Sequence, residues 1–197
     1  MTEHAPILAG SPLDTTPVPL KLRIEDYETL DQAGAFADYA KTELIEGEIY
    51  FVNAQHRPHA LLKMELYDRL RDWLKNSQSP LRPLVEAAVA MPPYSAPEPD
   101  IALTSEPMGQ GMIPLASLSL VVEVADTSLD QDLGRKVGMY ARHQVTEYWV
   151  ADVKARVIHQ MWSPANETYR EHQTIAFGSP LKSATISGLE IDTDFPG

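Results

Sequence analysis

The sequence contains no cysteine, comparatively few basic residues and no long apolar run. Without cysteine the chain can form neither a disulfide nor a thiolate metal site, which is compatible with a reducing compartment, and we expect the cytoplasm. No stretch approaches the roughly 18 consecutive apolar residues of a membrane-spanning helix, so no membrane partner is expected. The chain also lacks a basic segment followed by an apolar core at its start, which argues against a secretory signal.

Basic residues are scarce relative to acidic ones. The chain has 16 Lys and Arg against 28 Asp and Glu, which gives a formal net charge of −12 at pH 7. Neutralisation of phosphates by Lys and Arg supplies most of the non-specific affinity of proteins for nucleic acid. We therefore expect weak binding to duplexes, and the composition argues against a function that depends on such binding.

The remaining composition is that of a folded protein. With 197 residues, 44% of them apolar, the chain can form one domain with a sizeable core. Four prolines and a glycine predict a flexible arm over residues 1–20, followed by a single domain over 21–197. Apolar residues at helical spacing predict a helix over 60–76, with the stripe Leu62, Leu66, Leu70 and Trp73.

Short apolar runs between turn residues predict several strands in addition to the helices. The predicted strands cover 43–52, 84–91, 101–103, 120–124, 148–150, 157–162 and 168–175. We therefore predict an α/β fold with a central mixed sheet, helices on its faces and a functional site at one edge of the sheet.

Acidic residues stand in two of these strands where the pattern calls for apolar ones. Asp100 opens the strand at 101–103, and Glu123 interrupts the apolar run 120–124. A buried carboxylate is costly unless it is paired or binds a metal. If the two strands are neighbours, both carboxylates could share one Mg²⁺ or Mn²⁺, since hard oxygen ligands suit these ions. The alternative, which stays open here, is a pair of carboxylates satisfied by Arg or by backbone N–H groups.

Lys136 lies on the segment that follows the second of these strands. Four apolar residues of this segment recur at helical spacing, namely Leu129, Leu133, Val137 and Tyr140. This stripe predicts a helix over roughly 129–143, and Lys136 borders it, so that its ammonium could reach the strand ends. The alternative is an exposed ion pair with Asp132, four residues earlier, which would contribute about 0.2–0.5 kcal/mol.

The order of the segments around these residues resembles the Uma2 family, which belongs to the PD-(D/E)xK nuclease superfamily. The segments are ELIEGEI, a turn with histidines and a helix, PEPDIAL, LVVEVADTS, DLGRKVGMYARHQVTEYWVAD and GLEID. They extend from about Ile24 to the C-terminus. Single elements such as PD are common in proteins, so the resemblance depends on the ordered set.

The resemblance implies a restriction-endonuclease-like fold and a divalent-metal-dependent endonuclease activity. In that interpretation Asp100 and Glu123 hold Mg²⁺ or Mn²⁺, and Lys136 acts on the attacking water and offsets the charge of the transition state. The partner would be nucleic acid, in the first place DNA, and a homodimer is left open. The alternative function is a nuclease-fold binding module without turnover, which the acidic composition favours.

The resemblance also suggests two accessory residues. In the family an acidic residue near the Gly47 turn completes the metal site, which indicates Glu48, with Glu46 as the other candidate; an exposed hairpin is the alternative for both. A His recurs at the start of the following helix, and His59 matches that place. It would contact a phosphate or orient a ligand carboxylate, or else be an ordinary polar residue at a helix start. Glu86, in a predicted neighbouring strand, is a lesser ligand candidate.

The chain departs from the family pattern at three places. Ala125 stands where the classical superfamily motif has its lysine, which is why the resemblance assigns that role to Lys136 on the next helix. Asp126 and Thr127 replace the usual Ser-Pro and add a carboxylate beside the predicted site. His143-Gln144-Val145 stand where the family usually has a Gly before the EYW strand.

Overall fold

The structure, a computed structural model, describes residues 17–52 and 54–195. The predicted flexible arm therefore lies mostly outside the described residues, and residues 17–23 run without helix or strand. The boundary between an arm and a single domain stays a prediction. Among the helices that the structure describes, none combines the length and apolar character needed to span a bilayer.

The chain contains both helices and strands, as the sequence predicts. In chain order the elements are α1 (Ile24–Gln32), β1 (Thr42–Ile45), β2 (Glu48–Phe51), α2 (Arg57–Asn76), β3 (Arg82–Val85), β4 (Val89–Ala90), β5 (Ile101–Thr104), β6 (Ile113–Pro114), β7 (Leu118–Ala125), α3 (Leu129–Asp132), α4 (Arg135–Arg142), β8 (Glu147–Asp152), β9 (Val157–Ala165), β10 (Thr168–Ala176), β11 (Leu181–Lys182) and β12 (Glu190–Ile191). A short 3-10 turn at Leu115–Ser117 precedes β7.

Six strands form the central sheet in the order β10-β9-β8-β7-β5-β3. β7 and β8 run parallel, and the other neighbouring pairs are antiparallel. Parallel neighbours need a crossover connection, and α3 and α4 supply it between β7 and β8. The mixed sheet with helices on its faces confirms the predicted fold class.

Each face of the sheet packs against different elements. On one face lies α2, whose buried stripe Leu62, Leu66, Leu70 and Leu74 contacts alternate residues of β5, β7 and β8. Leu74 continues the four-residue spacing of the stripe, and the predicted Trp73 is half-buried and packs against the same cluster. On the other face lie α4 and the β1–β2 hairpin, which pack against Ala102, Val121 and Tyr148. Because strand side chains alternate, Glu123 belongs to this second face.

Two elements differ from the sequence-based expectation. The predicted helix over 129–143 is divided into α3 and α4 at Gly134, whose φ of −107° and ψ of −99° lie outside helical geometry. A Cβ added to Gly134 would stand 2.5 Å from the carbonyl oxygen of Asp130, so the two helices approach closely only because glycine is there. The predicted strand over 84–91 is interrupted at Glu86, whose φ is 51°.

The run ELIEGEI, within the strand region predicted over 43–52, forms a hairpin of two strands. Glu46 and Gly47 make the turn with φ values of 54° and 86°, as two-residue hairpin turns require. In the register of the hairpin Ile45 pairs with Glu48, and Glu43 pairs with Tyr50. Side chains two residues apart on one strand share a face, so Glu43 and Ile45 of β1 point to the same side, toward the sheet.

A buried carboxylate attaches the C-terminal segment to the sheet. Glu147 of β8 is fully buried and accepts hydrogen bonds from the indole of Trp149 at 2.6 Å and the amide of Gln160 at 2.6 Å. It also accepts from the hydroxyls of Ser183 at 2.6 Å and Thr185 at 2.7 Å. Several neutral donors thus satisfy this acid, which identifies it as a structural group.

Candidate active site

Asp100 and Glu123 stand opposite each other at one end of the sheet. β5 and β7 are antiparallel with Ile101 opposite Val122, so Asp100 and Glu123 form the next pair in that register. Residues that oppose each other in this way share a face. The start of β5 and the end of β7 therefore bring the two acids together, as expected if these strands are neighbours.

Asp100 is buried and surrounded by hydrogen-bond donors. Its Oδ2 accepts from the backbone N–H of Val124 at 2.8 Å and lies 3.1 Å from Nε2 of His59. Its Oδ1 accepts from the amide of Gln55 at 3.1 Å, with Nζ of Lys63 at 3.5 Å. Burial by itself would raise the pKa of Asp100, but its donors, led by His59, outweigh burial and lower the pKa to about 2. Asp100 is therefore an anion at neutral pH.

Glu123 is bonded to α4 and to Asp100. Its Oε1 accepts from Nζ of Lys136 at 2.8 Å and from the hydroxyl of Tyr140 at 2.9 Å. Its Oε2 faces the backbone N–H of Asp100 at 3.3 Å. Because the residue after Glu123 in turn donates to the Asp100 carboxylate, the two strands fix both acids side by side.

Lys136 lies among carboxylates in the first turn of α4. Besides Glu123, its Nζ lies 3.6 Å from Oε2 of Glu43 and 3.6 Å from Oδ1 of Asp132. The pair with Asp132 thus exists, but both side chains are buried, so it is not the exposed pair of the alternative interpretation. Burial by itself would lower the pKa of Lys136, but the carboxylates, Glu123 first, raise it above its ordinary value. Lys136 therefore remains an ammonium.

Glu43 is the acid that the sequence reasoning missed. It is 2% exposed, and its Oε1 accepts a hydrogen bond from the backbone N–H of Glu98 at 2.9 Å. A signal for it was present in the sequence, because Glu43 shares a strand face with Ile45, which is fully buried. The prediction instead concentrated on the acids beside Gly47.

Glu48 and Glu46 lie at the surface end of the hairpin. The Glu48 carboxylate accepts a hydrogen bond from the guanidinium of Arg135 at 2.8 Å and is bonded to the hydroxyl of Tyr50. Glu46 lies 2.6 Å from the guanidinium of Arg142. Glu48 shares the hairpin face of Glu43 but stands two residues farther along, at the turn. The structure therefore does not bring the predicted accessory ligand Glu48 to Asp100 and Glu123.

His59 and Lys63 approach Asp100 from the first two turns of α2. His59 is buried, and its Nε2 lies 3.1 Å from Oδ2 of Asp100, while its role stays a prediction. Its Nδ1 is buried and has no hydrogen-bond partner among the described residues. Lys63, which the sequence reasoning did not single out, also bonds Gln55 at 2.7 Å and Glu86 at 2.5 Å. Glu86 thus lies in a turn at the margin of the group and is 45% exposed.

The group has more negative than positive charge. Burial first, and then Asp132, Asp100 and Glu43, raise the pKa of Glu123 to about 8 in spite of the nearby ammonium of Lys136. A proton therefore stays on Glu123 near neutral pH unless another cation arrives. A cavity of about 70 Å³ opens between these side chains, which is enough for a cation with a few waters but not for a nucleotide.

The arrangement suits a divalent cation that needs few protein ligands. Within residues 17–52 and 54–195, no group of three or more His, Asp or Glu side chains is placed to hold a metal ion. Mg²⁺, however, is commonly bound through one or two carboxylates and keeps several waters. Asp100 and Glu123 supply two opposed carboxylates at a small cavity with excess negative charge, so the residues present fit such an ion.

Among solved structures, the fold is similar to one described as "a putative nuclease belonging to DUF820" from Anabaena variabilis ATCC 29413. The TM-score is 0.62 at 15% sequence identity, and the match covers 77% of this chain and 87% of the other. At that identity the likeness shows a shared fold. No curated protein sequence matches the chain.

The family model confirms the resemblance that the sequence carries. The model named Uma2, with the description "Putative restriction endonuclease", matches residues 24–194. That match includes the hairpin with Glu43, both central strands with Asp100 and Glu123, and α4 with Lys136. This chain therefore belongs to the Uma2 family.

Proposed function

We propose that this protein is a divalent-metal-dependent endonuclease that hydrolyses phosphodiester bonds in nucleic acid. Asp100 and Glu123 would hold Mg²⁺ or Mn²⁺, with Lys136 beside them. The observation that carries the proposal is the convergence of these three side chains, from two strands and a helix, on one small cavity. The family to which the chain belongs and its nuclease-like fold support the same activity.

Each residue has a task that follows from its surroundings. When bound, a divalent cation polarises the phosphate and activates water. Asp100 stays ionised, so it offers charged oxygen ligands at any working pH. Lys136 stays protonated and is therefore suited to orient water and offset developing negative charge, rather than to accept a proton. His59 holds the Asp100 carboxylate from the side of α2 and acts as a positioning residue.

The test is a cleavage assay on single- and double-stranded DNA and RNA with Mg²⁺, Mn²⁺ or a chelator, started at low salt. We expect cleavage with either metal and none with the chelator. Lys136→Ala should lower the rate about a hundredfold or more, since a positioned transition-state cation is lost. Lys136→Arg keeps the positive charge among the buried carboxylates but moves its position. A low cleavage rate in this variant, if it is folded, is therefore due to the changed geometry and not to unfolding. The control is Lys182→Ala, because Lys182 is exposed and pairs with Glu190 at the surface.

Two outcomes would overturn the proposal. Cleavage that is equally fast in wild type and Lys136→Ala rules out the role of this lysine. A folded protein that cleaves none of the four substrates with Mg²⁺ or Mn²⁺ is not an endonuclease of this kind.

A binding module on the same fold is the second candidate. It is favoured by the internal bonds of the site, in which Lys136, Tyr140 and His59 already occupy the carboxylate oxygens. The net charge of −12 favours it as well. Such a module would bind a partner equally well with Lys136 replaced. The homodimer and the cytoplasmic location remain predictions of the sequence alone.

A further inference from the structure

A second, larger cavity adjoins the small cavity that Asp100 and Glu123 line. Its volume is about 360 Å³, within the range of roughly 300–1,000 Å³ that is typical of ligand pockets. The two cavities share five lining residues, namely Val52, Gln55, His59, Ser128 and Gln131. A ligand in the larger cavity would therefore lie directly beside Asp100 and Glu123.

Aromatic side chains form one wall of the larger cavity. Phe51 of β2 is 59% exposed and lines the cavity. Its ring lies 5.5 Å from that of Tyr39, which is 52% exposed. Tyr50 also lines the cavity, and the guanidinium of Arg135 lies 5.0 Å from its ring centre. Exposed aromatic faces of this kind stack nucleobases, with little dependence on sequence.

The opposite wall is formed by the start of α2. His56 is the N-cap of this 20-residue helix and lines the cavity, and the first turn carries no acidic residue. The positive end of the helix dipole favours an anionic group there. His59, in the first turn of the same helix, lines both cavities. A phosphate between the cavities would lie beside this helix start.

The charge of the molecule decides which form of nucleic acid suits the cavity. Asp126 lines the same cavity, and the chain as a whole carries a net charge of −12. A duplex presents its phosphates outward and stacks its bases inside, so it would offer this surface mainly repulsion. A single strand can turn a base toward the aromatic wall and gain affinity from stacking instead.

We propose that the larger cavity receives one unstacked nucleobase of a single-stranded polynucleotide, stacked on Phe51 beside the phosphate that is cleaved. The inference rests on the proposed endonuclease function and specifies its substrate class. Thr127 and Gln131 line the cavity and supply groups that can bond the edges of the base. Tyr39 supports the exposed ring of Phe51 from outside.

The test measures binding of fluorescently labelled ten-nucleotide strands by anisotropy, in low salt with Ca²⁺ in place of Mg²⁺. The probes are single-stranded DNA, single-stranded RNA, the matched duplex, and a strand of the same length in which every position is abasic. The variants are Phe51→Ala, Phe51→Trp and the control Leu61→Ala. Leu61 is 52% exposed on α2, does not line the larger cavity, and so matches Phe51 in exposure.

We expect single strands to bind at least tenfold more tightly than the duplex. Phe51→Ala should weaken single-strand binding about tenfold, whereas Phe51→Trp and Leu61→Ala should leave it near wild type. Removing every base should cost wild type about as much as Phe51→Ala does and should cost Phe51→Ala nothing further, because ring and base act as one pair. The DNA and RNA strands together show whether the 2′-hydroxyl matters.

Equal affinity for single strand and duplex, or equal effects of Phe51→Ala and Leu61→Ala, would overturn the inference. So would independent costs of removing the bases and of Phe51→Ala, or no single-strand binding at all. The proposed function fails separately. If Phe51→Ala leaves metal-dependent cleavage unchanged, the proposed endonuclease function stands and the proposed stacking site is wrong. If single strands bind in a Phe51-dependent way but the protein never cleaves them, the stacking site stands and the proposed endonuclease function is wrong.

Discussion

Lys136 shows how much the surroundings of one residue decide. Because Lys136 stands four residues after Asp132, the sequence is compatible with an exposed ion pair between them. Such a pair would contribute only a few tenths of a kcal/mol to stability. In the structure it lies buried within 3.6 Å of three carboxylates, those of Glu123, Glu43 and Asp132. Its removal would leave several buried negative charges without their cation.

We expect Lys136→Ala to destabilise the metal-free protein by about 3–5 kcal/mol at pH 8, the usual cost of leaving a buried charge unpaired. The exposed control Lys182→Ala should stay within about 0.5 kcal/mol of wild type. Urea denaturation measures both. A loss of a few tenths of a kcal/mol for Lys136→Ala would contradict the buried arrangement.

The pKa of Glu123 leads to a prediction about pH. In the unfolded chain a Glu titrates at about pH 4.3, whereas burial raises the pKa of Glu123 in the folded protein to about 8. Between these values the folded state binds more protons, so this contribution to stability is complete below about pH 4.3 and is lost as the pH rises toward 8. The stability of Glu123→Gln, measured with a chelator, should therefore fall less than that of wild type between pH 5 and 8.

The same stability measurements, repeated with Mg²⁺ instead of a chelator, test metal binding by Glu123. A cation that binds the ionised form of Glu123 should stabilise wild type more at pH 8 than at pH 5. Glu123→Gln should lose most of this Mg²⁺-dependent gain. Parallel pH profiles of the two proteins in chelator would mean that Glu123 does not titrate in this range. An Mg²⁺-dependent gain in stability that Glu123→Gln keeps in full would mean that Glu123 does not bind the ion.

At the scale of elements, the break between α3 and α4 decides where Lys136 points. One continuous helix over 129–143 would satisfy the apolar stripe, which is why periodicity predicts it. Instead, α3 ends at Asp132 and α4 begins at Arg135, and Gly134 lets the backbone change direction between them. The second helix can then place Lys136 and Tyr140 on Glu123.

Gly134→Ala tests this role of the break. Its Cβ would stand 2.5 Å from the backbone carbonyl of Asp130, so α3 and α4 must shift apart. We expect lower stability and lower nuclease activity, because Lys136 moves with α4. The matched control is Gly138→Ala in α4, where the nearest atom lies at an ordinary 3.6 Å. There alanine should be neutral or stabilise the helix by up to about 1 kcal/mol, and similar losses in both variants would contradict the role of the break.

At the scale of the whole molecule, acidic charge limits how nucleic acid can bind. Each phosphate that a protein neutralises adds roughly −0.7 to −0.9 to the slope of log affinity against log salt concentration. With a net charge of −12 and much of the affinity supplied by stacking, we expect a single-strand slope no steeper than about −2. Anisotropy titrations over a range of salt concentrations measure it, and a slope near −6 would indicate a basic binding face instead.

The sequence by itself determined the fold class and the central acids. Strand alternation and helical periodicity are local patterns, so they predicted a mixed α/β sheet, α2 and the β9–β10 hairpin. Asp100 and Glu123 were recognisable because a carboxylate in an apolar strand conflicts with its immediate neighbours. The ordered segments around them were enough to indicate the Uma2 family.

Only the tertiary structure decided which acid of the β1–β2 hairpin faces the others. Glu43, Glu46 and Glu48 lie within six residues and have similar local patterns, but the hairpin turn leaves Glu46 and Glu48 at the surface and buries Glu43. The same applies to Lys63, which meets Asp100 because α2 crosses the end of β5, and to Phe51, exposed beside the larger cavity. Such contacts join residues distant in the chain, and their geometry depends on how whole elements pack.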